Sequence, residues 1–286
     1  MDNYSVVSKT ILFTGATSGL GRLAALKVAA EGAKVIVTYR DKNLGEKLKK
    51  DLHSLYPSAK GSIELLECNL SSLSSVHSAC QQLKNTYETL DMIVNNAGTW
   101  NFEFSETEDG IENTLQVNLL APMLIINQLR EVLRKSDSPK IINTASALHQ
   151  GSINFDNLEF RKNFSGFKAY RQSKLGIILI SRYYQKKFEN SGIHFYSQHP
   201  GLVDTGLVRK GGWLSKQFFK FFGKSPEKGA ETLIHLILSS PTNLRDGEYF
   251  KNCKVSKTDT KESYNLKVAE KLDNVCLQYL DKYLVD

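Results

Sequence analysis

Ile11-Leu12-Phe13 runs directly into Thr14-Gly15-Ala16-Thr17-Ser18-Gly19-Leu20-Gly21, and the reading of this stretch decides the fold. A short apolar run that stops at a glycine turn suits a buried strand. Gly15 admits backbone angles closed to larger residues, while Gly19 and Gly21 allow turn, helix and a bound pyrophosphate to approach closely. A helical pattern follows through Leu23, Leu26, Lys27 and Ala30 and stops at Glu31-Gly32. Val35-Ile36-Val37-Thr38-Tyr39 is then short, branched and bounded by turn signals, as a second buried strand should be. The glycines alone are compatible with a structural turn. Placed between a strand and a helix, they open a βαβ unit of the kind that holds a dinucleotide on helix-terminal amides.

The alternation continues along the chain. Helices are expected near 41–55, 71–90, 109–133 (adjusted around Pro122), 169–188 and 227–238. Extended segments are expected at 63–67, 92–94, 140–144, 193–197 and 248–250. Strands and helices of these lengths in strict turn predict an α/β fold with a doubly wound, largely parallel sheet. No linker, composition break or internal repeat divides the 286 residues, so one domain over 1–286 is expected. The Lys-rich tail at 256–286 reads either as an exposed extension or as a helix packed over the sheet.

Composition narrows the function classes. With 41% hydrophobic residues the chain can bury a large core without disulfides, and its four cysteines show no paired spacing. Together with the absence of a leader pattern, this favours a reducing, cytoplasmic compartment. No apolar run approaches the roughly 18 residues of a membrane span. The net charge of +7 is spread among many acids, which argues against nucleic acid as a partner. No His, Cys, Asp and Glu spacing suggests a metal.

The end of the second strand approaches the adenosine ribose in such units, where an acid would bind a free 2′-hydroxyl. This chain has Tyr39-Arg40 instead. A guanidinium can form charge-assisted bonds to a 2′-phosphate that a carboxylate would repel, so the expected cofactor is NADP(H). The alternative is that Arg40 is a solvated residue at a helix start. Arg22 adds positive potential nearby.

Several ordered motifs resemble the short-chain dehydrogenase/reductase family over roughly residues 8–255: the glycine turn, Asn95-Asn96-Ala97-Gly98, Ser146, Tyr170-Arg171-Gln172-Ser173-Lys174 and His199-Pro200-Gly201. The resemblance implies a Rossmann-like fold and catalytic roles for Asn118, Ser146, Tyr170 and Lys174. It also implies cofactor contacts by Gly15, Thr17, Ser18, Gly19, Leu20, Arg40, Asn69, Leu70, Asn95, Ala97, Gly98, Tyr170, Lys174, Pro200, Gly201, Val203 and Thr205. One departure stands out: Asn69-Leu70 occupies a place where the family often carries an acid before the apolar residue.

The side chains supply the chemistry. Tyr170 and Lys174 are four positions apart, so a helix brings them to one side. A tyrosine with a pKa of about 10 donates a proton readily but is a poor base at neutrality. A nearby ammonium, assisted by the charge of an oxidised nicotinamide, would favour its ionised form. By resemblance, Ser146 polarises the substrate oxygen, and Asn118 maintains the active-site helix and a water connection to Lys174.

Within the family, the long Ser146–Tyr170 interval and Gly247-Glu248-Tyr249-Phe250 with Cys253 resemble the retinol dehydrogenase and lipophilic-carbonyl reductase branch. Members of that branch often carry a hydrophobic N-terminal segment; no such run stands before the first strand in this sequence, so membrane location by that route is not the expectation. The expected partner is a small lipophilic alcohol or carbonyl. A conjugated-carbonyl or pigment-precursor reductase and a catalytically weak nucleotide-responsive binding protein stand as alternatives. Residues 206–225, including Trp213-Leu214 and Phe218-Phe219, read as a substrate lid, with a buried helix or a peripheral membrane contact as the other readings. His149 is either a pocket residue or a polar loop residue, and His199 belongs to the turn. The helices bearing Asn118 and Tyr170 resemble those through which the family forms homodimers or homotetramers, although their apolar residues could equally serve the monomer core.

Overall fold

The computed structural model describes residues 4–200 and 226–284. Among these, eight strands form one sheet. They are β1 (Thr10–Phe13), β2 (Lys34–Tyr39), β3 (Ser62–Glu67), β4 (Met92–Asn95), β5 (Lys140–Thr144), β6 (His194–His199), β7 (Tyr249–Lys251) and β8 (Lys254–Val255). The order is β3-β2-β1-β4-β5-β6-β7-β8, parallel throughout except for the last, antiparallel pair. The chain winds outward from β1 to β3 and then crosses to β4 on the other side of β1. The carboxyl ends of β1 and β4 therefore flank a crevice where the winding reverses, the place where open α/β sheets bind ligands.

Strand residues alternate between two apolar layers, which is why these runs are hydrophobic throughout. Leu12, Ile36, Ile93 and Ile141 face one core, shared with α3 (Leu73–Thr86), α5 (Ala121–Leu133), α6 (Gly166–Lys187) and α8 (Leu266–Leu280). Ile11, Phe13, Val35, Val37, Val94 and Ile142 face the other, shared with α1 (Gly19–Ala30), α2 (Lys42–Leu55) and α7 (Pro226–Leu238).

The helix expected over 109–133 begins later and is irregular at a different place. Glu112 caps it, accepting from the amides of Thr114 and Leu115 at 2.8 and 2.7 Å. After the single turn α4 (Asn113–Leu115), residues Gln116–Leu120 form a wide π turn before α5 resumes. Pro122 lies in the first turn of α5. With no N–H it cannot donate to the carbonyl four residues back, so its effect falls on Asn118.

The tail folds back as α8, which lies along α6 on the outer side of the sheet. Leu272 and Leu119 both flank Gly176, and the buried Asp273 accepts from Tyr184 Oη and Lys187 Nζ at 2.7 and 2.6 Å. Residues 172–181 of α6 are buried without interruption, as are 121–126 of α5. Of the two helices whose apolar residues could serve either a second copy or the monomer core, α6 packs against the chain's own C-terminal helix and α5 against α3. No helix among the described residues is long and apolar enough to cross a membrane.

Candidate active site

At the carboxyl ends of β1 and β4 lies a cleft of about 680 Å³. Its floor is the glycine turn. Gly15 holds φ +67°, and a Cβ there would lie 2.6 Å from Ala97 Cα, so the turn and the Asn96–Gly98 strand exit are in backbone contact. Thr14 Oγ1 fastens the two, accepting from the amides of Asn96 and Ala97 at 3.1 Å each. Asn96 Nδ2 returns a bond to the Gly15 carbonyl at 3.0 Å. Ser18, the N-cap of α1, makes no side-chain capping bond, which leaves the first amides of a twelve-residue helix for an anion. No carboxylate is among the described residues that line the cleft, and Arg40 stands exposed on its wall beside Tyr39. A glycine cradle on helix amides with a cation at the strand end fits a phosphorylated dinucleotide.

The sequence-predicted contacts divide into four groups, of which Tyr170 and Lys174 lie beyond Gly98 with the catalytic set rather than on the cleft lining. Gly15, Thr17, Ser18, Gly19, Leu20, Arg40, Leu70, Ala97, Gly98 and Pro200 line the cleft. Asn69 and Asn95 do not: the Asn69 carboxamide accepts from the Ser71 amide at 3.1 Å, and Asn95 donates to Asn143 inside the sheet at 2.9 Å. Gly201, Val203, Thr205 and the 206–225 stretch lie outside the described residues. Arg22 turns away to pair with Asp51 at 2.6 Å.

The four expected catalytic side chains converge beyond Gly98. A Cβ on Gly98 would lie 3.3 Å from both Asn118 Oδ1 and Lys174 Nζ. Asn118 is fixed on both sides, accepting from the Thr99 amide at 2.8 Å and donating to the Thr99 carbonyl and Ser173 Oγ at 2.9 and 3.0 Å. Ser173 passes the connection on by donating to the Tyr170 carbonyl at 2.8 Å. Lys174 Nζ donates to the Thr144 carbonyl at 2.9 Å and lies 5.8 Å from the centre of the Tyr170 ring. Ser146 Oγ accepts from the Leu148 amide at 3.1 Å, which leaves its proton for the Tyr170 oxygen.

Burial sets the protonation states. It pushes the Tyr170 phenol above its usual 10, against the bond from Ser146 that favours the phenolate. It pulls the Lys174 ammonium down to about 8. Without the charge of an oxidised nicotinamide, desolvation outweighs the polar neighbours of Tyr170 and the tyrosine keeps its proton. Lys174 remains charged at neutrality but close to releasing its proton. The set can therefore give a proton to an oxygen held beside Ser146 and replace it from within.

Residue types and spacing did not single out Trp100, Asn96, Thr14 or Ser173. Trp100 lies parallel on Tyr170, with ring centres 4.7 Å apart and planes at 14°, and Phe102 and Phe167 continue the aromatic contacts outward. Strand alternation held a usable signal for Asn96: Asn95, the last residue of β4, turns into the sheet, so the next residue faces the cleft.

A proton exchanged at an oxygen next to a dinucleotide cradle is the chemistry of an oxidoreductase acting on alcohol or carbonyl groups. Residues 9–212 match the family described as short chain dehydrogenase, and the chain belongs to that family. Among its relatives, Retinol dehydrogenase 14 of Homo sapiens is 35% identical over 264 residues, covering 86% of this chain and 79% of that one. Retinol dehydrogenase 12 of Homo sapiens is 31% identical over 281 residues, covering 97% and 88%. The fold is also that of a short-chain type dehydrogenase/reductase from Mycobacterium marinum, with a TM-score of 0.70, 19% identity and coverage of 87% and 95%.

Proposed function

We propose that this protein is an NADP(H)-dependent oxidoreductase that interconverts a lipophilic, retinoid-like alcohol and its carbonyl compound. Arg40 carries the cofactor preference: it is a cation on a cleft wall with no described carboxylate, where a 2′-phosphate would be attracted and a bare ribose would gain little. Gly15, Gly19 and the first amides of α1 would hold the pyrophosphate, and Ala97 and Gly98 the nicotinamide side. When bound, the nicotinamide gives or accepts the hydride at the substrate carbon.

The chain's own residues handle the proton. Ser146 hydrogen-bonds the substrate oxygen, and Tyr170, kept neutral by burial, donates to it during carbonyl reduction. Lys174, with its pKa near 8, resupplies the proton. Asn118 ties the π turn to Ser173 and Thr99 and so fixes the helix that carries Tyr170 and Lys174. The relatives named as retinol dehydrogenases support a lipophilic substrate. A conjugated carbonyl is the second reading, favoured by the Trp100–Tyr170 stack and by the exposed rings of Phe102 and Phe167 beside it.

The test compares NADPH with NADH against retinal, medium-chain aldehydes and aromatic ketones, in wild type and Arg40→Ala. Loss of a charge-assisted bond should weaken NADPH binding at least about tenfold and leave NADH within about twofold. Preferential use of NADH by the wild type would overturn the cofactor assignment.

A further inference from the structure

The loop after β5 carries Ser146; the Ala145 and Ala147 amides tie it to Gln198 and His199 of β6 at 2.7 and 3.1 Å, and the C-terminal part of the chain also holds it. The Ser146 carbonyl has two side-chain partners: His149 Nδ1 at 2.6 Å and the Tyr249 hydroxyl, which donates at 3.1 Å. On the far side of the imidazole, Nε2 faces the main-chain amide of Asp259 at 3.0 Å. An amide N–H can only donate, so Nε2 must carry its lone pair and the ring proton must sit on Nδ1. The ring is 1% exposed and meets Tyr249 edge-on at 5.2 Å.

The same C-terminal segment grips the loop at further points. Gln150 Nε2 donates to the Asp259 carboxylate at 3.1 Å, Thr260 Oγ1 to the Gly151 carbonyl at 3.2 Å, and the Ile153 amide to Glu262 at 2.7 Å. Ser146 is thus held by its carbonyl on one side, while its hydroxyl meets Tyr170 on the other. From this we infer that His149 is a positioning residue: fixed as the Nδ1–H tautomer by the Asp259 amide, it sets the backbone of Ser146 and couples the C-terminal segment to catalysis. The inference rests on the role proposed above for Ser146.

A pH dependence follows from the geometry. Protonated His149 would present Nε2–H to an amide N–H, and that contact must open. The Asp259 carboxylate and the Ser146 carbonyl favour the charged ring, while burial and the guanidiniums of Arg171 and Arg182 on α6 disfavour it; Tyr249 on β7 lies against its edge. Burial dominates and holds the ring neutral to below its usual 6.5. Turnover should therefore fall on an acid limb below that value, separate from the Lys174 limb near 8.

The experiment measures kcat and KM of the full chain, with NADPH and a carbonyl compound that the wild type reduces, from about pH 5 to 9. His149→Phe, which loses both bonds, should lower kcat roughly tenfold while KM and NADPH affinity stay within about twofold. His149→Asn keeps a donor for the Ser146 carbonyl but cannot titrate; it should recover kcat to within about threefold and lose the acid limb. Nitrogen-15 NMR of labelled histidine reads the tautomer without turnover and should show Nε2 unprotonated at neutral pH. If His149→Phe does not fold, His149→Asn, the tautomer spectrum and a few-fold loss in Tyr249→Phe decide the matter. Wild-type turnover with an unchanged acid limb in His149→Asn, or a protonated Nε2, overturns this inference alone. A wild type that reduces no carbonyl compound overturns the reading of the site and this inference with it.

Discussion

Replacing Lys174 with Met should remove turnover and stabilise the protein at the same time. Burial pulls the Lys174 pKa from 10.5 to about 8, so the folded chain carries an ammonium it holds poorly. At about 1.4 kcal/mol per pH unit, that charge costs the fold about 3 kcal/mol at neutral pH. Methionine fills nearly the same space without the charge. Against the gain stands the bond from Nζ to the Thr144 carbonyl, whose loss costs about 1 kcal/mol. The net gain is about 2 kcal/mol, or a Tm higher by about 3 °C in a chain of this size. The sign reverses the usual pattern for lysine. Between 8 and 10.5 the unfolded chain binds a proton that the folded one has lost, so wild-type stability rises with pH across that window. The advantage of Met is complete below pH 8 and gone by 10.5. Urea unfolding of both proteins at neutral pH and near pH 10 is the assay. A lower midpoint for Lys174→Met at neutral pH, or an advantage that persists undiminished near pH 10, would refute the reasoning.

Gly21→Ala places a Cβ 2.2 Å from the Gly15 carbonyl oxygen and 2.5 Å from Asn96 Nδ2, so the cradle must open. Cofactor affinity should fall by at least about a hundredfold with a loss of about 2 kcal/mol or more in stability, read by NADPH fluorescence titration and thermal melting. Because α8 covers α6, light scattering should give the monomer mass of 32.1 kDa. A concentration-independent dimer would show that another surface associates.

β1 to β7 were legible because each is a short, largely apolar run bounded by turn residues; β5 has the predicted ends and the other six shift by a few residues at most, whereas the exposed two-residue β8 was not foreseen. The proton-transfer pair was legible because Tyr170 and Lys174 share a helix, where a four-residue interval fixes their side. Contacts made across the fold were not. Pro122 signals an irregular helix, but its consequence falls at Asn118, through a hydrogen bond that cannot form. Asn69 and Asn95 carry the right chemistry, yet an Asx turn and the Asn143 pairing turn them from the cleft. The stack of Trp100 on Tyr170 joins residues 70 positions apart, and neither periodicity nor composition reports such a meeting. The position of α8 depends on buried partners such as Asp273 with Tyr184 and Lys187, which a Lys-rich tail does not announce.

The central claim is that Tyr170 passes the proton in an NADP(H)-dependent carbonyl reduction, and single-turnover mixing of NADPH-loaded protein with retinal, followed by nicotinamide absorbance, tests it most directly. The wild type should oxidise NADPH, while Tyr170→Phe should bind it with unchanged affinity and react at least about a hundredfold more slowly. Oxidation at the wild-type rate by Tyr170→Phe would contradict the account.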